Sequence, residues 1–354
     1  MTAAPDADFT RRTQPYRREL LAHCYRMLGS VHDAEDLVQE TYLRAWRSFD
    51  GFHGRSSIRT WLYQIATNAC LTALAHRGRR VLPSGLGAAG HDPAAAPAMA
   101  PPGTRWLQPM PDALVSAEAA DPASVAVTRD SLRLALIACL QYLNGRQRAV
   151  LLLRDVLGLP AAEVATILDT STAAVKSTLQ RARARLAEIA TAAEQAAAPT
   201  EPGQRMLLAE YMAAFQNSDA AALERLLHRD AVLEMPPTQT WFAGKRTCVA
   251  YLAAQVLGVP GDWLLYPTCA NGQPAAVAYL RETPGRYRAF GVAVLTTTAD
   301  AINRIAAFCD PELVTTFGFP AEIELSDTAG RGGASAILEH VRAESFPGGS
   351  ATAR

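Results

Sequence analysis

The sequence predicts a multidomain chain: two all-α modules within the first 190 residues, then an α+β module. Three observations carry that expectation. Apolar residues recur at three- and four-residue steps through residues 9–76 and again through 128–189, the period of amphipathic helices. Two Ala/Pro/Gly-rich stretches, 77–127 and 190–203, interrupt the pattern without enough apolar surface to build a core of their own. Beyond residue 204, helical periods alternate with strand-like runs bounded by Asn271-Gly272 and Pro284-Gly285, which are turn signals.

A length of 354 residues suits two or three domains. Net charge is zero, yet residues up to 195 hold 22 Lys+Arg against 18 Asp+Glu and the remainder 12 against 16, so the front is +4 and the back −4. That asymmetry favours an anionic partner for the front half. Six cysteines, at 24, 70, 139, 248, 269 and 309, stand singly with no C-x-x-C pair, so neither zinc nor disulfides are expected. No metal or cofactor is expected either. There is no eighteen-residue apolar run and no signal-peptide core, so a cytoplasmic protein without a membrane partner is expected.

The first module is expected over residues 9–78. Phe9 to Leu28 reads as an opening helix that packs Tyr16, Leu20, His23, Cys24 and Met27 inward, His23 as a packing histidine. Ser30 then sits where an N-cap belongs, before a helix built on Val31, Ala34, Val38, Tyr42, Ala45 and Phe49. Asp33, Asp36 and Glu40 fall on its outer face, either a solvated face or one that meets a basic partner. A loop from Phe49 to Arg55 mixes Phe49, Phe52, His53 and Arg55 with Gly51 and Gly54. The next helix starts at Ser56 or Ser57 and adds Arg59, Trp61, Gln64 and Asn68. Rings beside cations suit unstacked bases, each stacked ring contributing roughly 1–3 kcal/mol while arginines steer phosphates. Phe49 and Trp61 suit a core equally well.

CYRMLGSVHDAEDLVQETYLRAW followed by FHGRSSIRTWLYQIATNACL resembles region 2 of an extracytoplasmic-function sigma factor of the sigma-70 family. The resemblance implies a first helix that docks on the clamp helices of the largest subunit of core RNA polymerase, beside the other large subunit, and a loop and second helix that capture the melted minus-10 promoter element. Carried over by position, Asp33, Asp36, Gln39 and Glu40 would face polymerase. Phe52, Arg55, Ser56, Arg59, Trp61 and Asn68 would lie near promoter DNA. Thr72 stands where many relatives carry an aspartate.

Residues 79–127 read as a flexible linker. Within it Trp106-Leu107-Gln108-Pro109-Met110-Pro111-Asp112 resembles the WLPEP-like element of sigma factors that carry an extra C-terminal domain, and is either an extended docking segment or plain linker.

The second module, 128–190, reads as helices over 130–143, 146–157, 160–168 and 172–189. Ala165, a turn at Asp169 and Val175 fit a helix-turn-helix: a small residue where helices cross and a branched one that anchors the second helix. Glycine is usual at the turn, but aspartate tolerates the left-handed conformation better than most residues. Lys176, Ser177, Gln180 and Arg181 project from the outer face, followed by Arg183 and Arg185; such donors read bases in the major groove and neutralise phosphates. GRQRAVLLLRDVLGLPAAEVATILDTSTAAVKSTLQRARARL resembles sigma region 4, which implies that these six residues contact the minus-35 element.

The third module, 204–320, is expected to place helices near 204–215, 219–227 and 244–257 on one antiparallel sheet of strands near 231–235, 275–281, 287–298 and 301–308. The order resembles the SnoaL-like, NTF2-like cone, an appendage that implies regulation in cis. A small apolar ligand is its candidate occupant, and a separate anti-sigma factor stays open. His228, Asp230 and Glu234 are the close titratable cluster, and their spacing assigns no acid/base roles. A tail from 321 to 354 contains Gly330-Arg331-Gly332-Gly333. The reading is therefore a promoter-specificity subunit that is not an enzyme. Its competitors are a stand-alone helix-turn-helix regulator with a ligand-binding domain, and an enzyme of the polyketide-cyclase or isomerase type.

Overall fold

The computed structural model describes residues 5–54, 56–75, 78–115, 131–189 and 201–325. The chain divides into two compact units: Met1–Val81 with Gly103–Gln195, and Leu82–Pro102 with Ala196–Arg354.

The first unit opens with α1 (Pro5–Thr13), a 3₁₀ turn over Gln14–Tyr16, and α2 (Arg17–Leu28). One continuous helix was expected here; Pro15 lacks the N–H that would continue the ladder, so the helix is rebuilt after a tight turn. Gly29 ends α2 at φ 71°, its N–H on Tyr25 O at 2.7 Å. A Cβ at this position would lie 2.6 Å from Leu107 Cδ2, so both the backbone conformation and the close approach call for glycine. α3 (Val31–Arg47) starts at Ser30, whose Oγ accepts from Asp33 N at 3.1 Å, the expected cap. α4 (Ile58–Ala75) follows, and Ser57 Oγ accepts from Thr60 N at 3.0 Å. Leu20, Cys24, Met27, Val31, Ala34, Val38, Leu62, Tyr63 and Ala66 fill the space between α2, α3 and α4.

The segment read as a linker has little regular secondary structure, yet it is hydrogen-bonded along much of its length. Leu107 N donates to Val81 O at 3.0 Å, Gln108 N to Gly29 O at 3.0 Å, and Tyr25 Oη to Gln108 O at 2.9 Å. Leu107 and Met110 are fully buried, and one turn of helix, α5 (Asp112–Val115), packs on α2. Of the two readings of the Trp106–Asp112 stretch, docking is the one observed. Residues 116–130, where the expected linker ends and the first helix of the second module begins, lie outside the described residues.

α6 (Leu134–Leu140) is shorter than expected, and Asn144 then forms a reciprocal capping box with Gln147 at 2.9 and 3.1 Å. α7 (Gly145–Leu151) runs on as a π turn, Leu152–Val156. α8 (Ala161–Ile167) and α9 (Thr172–Ile189) complete the bundle, with Val164, Ala165, Val175, Leu179 and Ala182 buried between them. Asp169 takes φ 48° at the turn, the left-handed conformation expected there. α7 and α8 pack against α4.

In the second unit α10 (Glu201–Gln216), α11 (Ala220–Leu226), α12 (Lys245–Tyr251) and α13 (Pro311–Thr316) accompany a seven-stranded sheet. Its strands are β1 (Leu227–Glu234), β2 (Trp241–Ala243), β3 (Trp263–Ala270), β4 (Gln273–Thr283), β5 (Arg286–Thr297), β6 (Ile302–Phe308) and β7 (Glu322–Glu324). The order is β2-β1-β6-β5-β4-β3 with β7 added to β5, and all pairs are antiparallel except β1 with β6. β2, β3 and β7 were not expected. The core joins Leu207, Tyr211 and Phe215 of α10 and Tyr251 of α12 to Phe242, Trp263, Leu265, Leu295 and Ile305 of the sheet. The Gly330–Gly333 motif lies outside the described residues.

Residues 82–102 join this sheet rather than the helical bundle. Ser84 N donates to Glu234 Oε1 at 2.9 Å, Gly90 N to Trp241 O at 2.7 Å, Trp241 Nε1 to Gly87 O at 2.9 Å, and Gln239 N to Ala98 O at 2.9 Å. The β2 edge, otherwise a row of unpaired backbone groups, is covered in this way. Glu234 is fully buried, its other oxygen 2.5 Å from Arg304 Nη1.

Candidate nucleic-acid interface

Three surfaces of the first unit carry the residues singled out in the sequence. On α3, Asp36 and Gln39 are exposed, and Glu40 accepts from Arg44 at 2.7 Å one turn later. Leu43 and Trp46 continue this stripe as exposed apolar side chains, which spacing alone did not single out. Asp33 stands apart. Its Oδ2 accepts from Arg80 Nη2 at 2.6 Å and from Arg105 Nη2 at 2.7 Å, so the carboxylate holds the chain on both sides of residues 82–102 to the start of α3.

Beyond α3 the chain turns through a 3₁₀ turn, Phe49–Gly51, and the expected aromatic cluster assembles. Phe52 and Trp61 lie 4.8 Å apart between ring centroids and tilted by 32°, with Phe49 6.4 Å from Trp61. All three rings are half-buried, between the two readings of core and exposed platform. Buried Phe9 of α1 meets Phe49 edge-on at 5.2 Å. Ser56 is half-buried and Asn68 exposed on α4, while Arg55 lies outside the described residues. Arg59 departs from a simple DNA-facing role: its Nε and Nη2 grip Glu19 at 2.9–3.1 Å, and its guanidinium lies 5.2 Å from the Tyr63 ring. Glu19 holds the Arg59 cation above its ordinary pKa range.

On α9, Lys176, Ser177, Gln180 and Arg181 are all exposed on the face opposite buried Val175, Leu179 and Ala182. Arg183 turns back to Asp155 at 2.7 and 2.9 Å, and Arg185 pairs with Glu188 at 2.9 Å. Four of the six predicted groove-facing residues thus share one exposed face, and the other two have acidic partners within the protein.

Sequence reasoning missed a set of buried polar groups where α2 meets the second helical module. Arg26 Nη2 donates to Ser131 Oγ at 2.7 Å, and Arg148 donates to Met27 O, to Gln141 Oε1 at 3.1 Å and to Leu143 O at 3.1 Å. Both guanidiniums are 3–4% exposed, and burial pulls each down to about 10. A helical period marks which face is inward but not which partners an inward arginine will meet. His23 is the buried packing histidine expected, its Nε2 3.0 Å from Thr67 Oγ1; burial, with Arg26 nearby, lowers its pKa from 6.5 to about 3.

In the second unit His228 is half-buried and Asp230 exposed, 3.9 Å apart, whereas Glu234 is buried against Arg304. The three do not converge on one site. An open groove of about 240 Å³ between α10 and α11 is lined half by polar side chains, Glu210, Asn217, Asp219 and Arg225, and half by Ala213, Ala214, Ala222 and Leu226. Among the described residues no cluster of three or more His, Cys, Asp or Glu is placed to hold a metal, and no helix is long and apolar enough to cross a membrane.

Comparison with known proteins adds the following. Residues 13–80 match the family description Sigma-70 region 2, and residues 133–186 match Sigma-70, region 4. The ECF RNA polymerase sigma factor SigG of Mycobacterium tuberculosis is 49% identical over 315 residues, 88% of this chain and 84% of that one. SigJ of the same organism is 31% identical over 220 residues, 60% of each chain. The crystal structure of Mycobacterium tuberculosis extracytoplasmic function sigma factor SigJ covers 88% of this chain and 99% of its own at a TM-score of 0.55 and 23% identity, a likeness of fold.

Proposed function

Because this chain belongs to the extracytoplasmic-function sigma factors of the sigma-70 family, we propose that its ring cluster and its exposed α9 face divide promoter recognition between them. It is an RNA polymerase sigma factor that directs transcription initiation. Asp36, Gln39 and Glu40 on α3 face the clamp helices of core polymerase. The Phe52–Trp61 cluster, with Arg55, Ser56 and Asn68, holds the melted minus-10 strand, and Lys176, Ser177, Gln180 and Arg181 on α9 read minus-35. The protein works in the cytoplasm and catalyses no bond change.

The observation that carries this reading is the pairing of a half-buried ring cluster with a separate exposed basic helix face. Rings beside cations suit single strands, and Lys, Gln and Arg along one helix suit the major groove. Sequencing the RNA 5′ ends made by core enzyme with the full-length protein on genomic DNA tests it. New start sites that share an upstream element are expected; unchanged start sites would refute the reading.

The second unit acts on this machinery in cis, and the motivating feature is its possession of residues 82–102. Those residues are part of the covalent connection between the two promoter-reading modules, and they are hydrogen-bonded to β1 and β2. Trp241→Ala, which removes the indole on Gly87 O, is expected to change the promoter output of full-length holoenzyme in run-off transcription. Identical output from Trp241→Ala, and also from a chain ending at Thr200, would rule out regulation in cis.

A further inference from the structure

The N-terminal helix contributes a cation to the ring cluster. Phe9 is buried against Phe49, Thr13 Oγ1 donates to Phe9 O at 2.9 Å, and Tyr42 Oη donates to Thr13 O at 2.8 Å, so the last turn of α1 is fixed at both ends. Arg12 lies in that turn. Its guanidinium is 5.4 Å from the centroid of Phe49 and 5.9 Å from that of Phe52, within cation–π range of both. Asp8 forms an ion pair with this charge but accepts no hydrogen bond from it. Its Oδ1 accepts from Arg11 at 2.5 Å, while Arg12 stays 3.7 Å from Oδ2, longer than a hydrogen bond.

We propose that Arg12 is a DNA-binding residue of the minus-10 site, in which its guanidinium takes a phosphate of the single strand whose bases stack on Phe52 and Trp61. The proposal rests on the reading of that cluster given above and adds to it a residue from outside the matched region, which begins at residue 13. A half-exposed, planar cation beside rings combines the two contacts a single strand requires: a face for the base and donors for the backbone. Arg59, the cation expected in this role from the sequence, is already bound to Glu19.

The test uses holoenzyme assembled from core polymerase and the full-length protein. The probe is a fork-junction DNA, taken from a mapped start site, that exposes the minus-10 single strand. Affinity is measured across a salt series. Arg12→Gln is expected to weaken binding and to lower the magnitude of the slope of log K against log salt by about 0.7, the loss of one single-strand phosphate contact. Arg12→Lys, which keeps the charge, is expected to keep the slope. A slope unchanged in Arg12→Gln overturns the proposal, even if the variant melts earlier, because packing on the rings alone would not alter counterion release. Phe52→Ala and Trp61→Ala separate the two levels. If they weaken fork binding while Arg12→Gln leaves the slope unchanged, only the Arg12 assignment fails; if they leave fork binding intact, the ring-cluster reading fails and the assignment with it.

Discussion

His23 shows how much one side chain can say about an interior. Its imidazole is neutral in the folded protein down to about pH 3, whereas in the unfolded chain it takes a proton near its ordinary 6.5. Between those values the unfolded state binds the extra proton, so His23 contributes stability that is fully present above pH 6.5 and lost as pH falls toward 3. Unfolding free energies from urea titrations between pH 7 and pH 4 are expected to fall, by up to about 1.4 kcal/mol per pH unit from this group. His23→Gln should flatten that part of the profile, and an unflattened profile would mean the imidazole is not the source. Arg148 makes a different case. It is a cation whose two Nη atoms reach neutral acceptors while its buried Nε has none, and burying such a charge costs several kcal/mol. Arg148→Ala strands the carbonyls of Met27 and Leu143 and should lower unfolding free energy by about 2–4 kcal/mol. Neither cost was legible in the sequence, because helical period reports which face is inward and not what the inward polar atoms will meet. The histidine was legible, because it sits between Leu20 and Met27 on the apolar face.

At the level of elements, the helices and their caps were the readable part. Ser30 and Ser57 cap as their spacing implies, Asn144 adds a cap that the sequence reading had not singled out, and the departure from glycine at the helix-turn-helix corner resolves as a left-handed aspartate. Asp169→Gly should therefore be neutral or stabilising by up to about 1 kcal/mol in thermal unfolding, since only glycine enters that conformation without steric cost. On the face of α9, Lys176→Ala or Arg181→Ala should weaken use of minus-35 by roughly 1–3 kcal/mol where the contact is to a base. Arg183→Ala should matter less, because its guanidinium is engaged by Asp155. Footprints of the three variants on one promoter would rank them. Strands were harder. β3 reads as WLLYPTCA, a run whose Pro267 argues against a sheet interior; it is tolerated because β3 is an edge strand and a proline there need not break a ladder. β2 and β7 are three residues long and exist through their partners rather than through any propensity of their own.

For the molecule as a whole, the least legible part was the stretch rich in Ala, Pro and Gly. Its composition predicted a tether, because it has few side chains to bury. What holds residues 82–102 is instead backbone hydrogen bonding to a sheet edge, together with one buried carboxylate, Glu234, and such contacts leave no mark on hydrophobic periodicity. Glu234→Ala should strand Arg304 and free Ser84 N. The expected outcome is a loss of about 3 kcal/mol in the unfolding of the second unit and faster cleavage within 82–102 by a broad-specificity protease. Equal cleavage rates in the variant and the parent would mean that Glu234 does not secure the segment.

The path of the chain has an unavoidable geometric result. The backbone leaves the first unit after Val81, returns at Gly103 and departs again after Gln195. No single scission separates the pieces; breaks at all three places are needed. A protein shortened from its C-terminal end therefore keeps twenty-odd orphaned residues stitched into its middle, and its behaviour reports on that remnant as much as on what was removed.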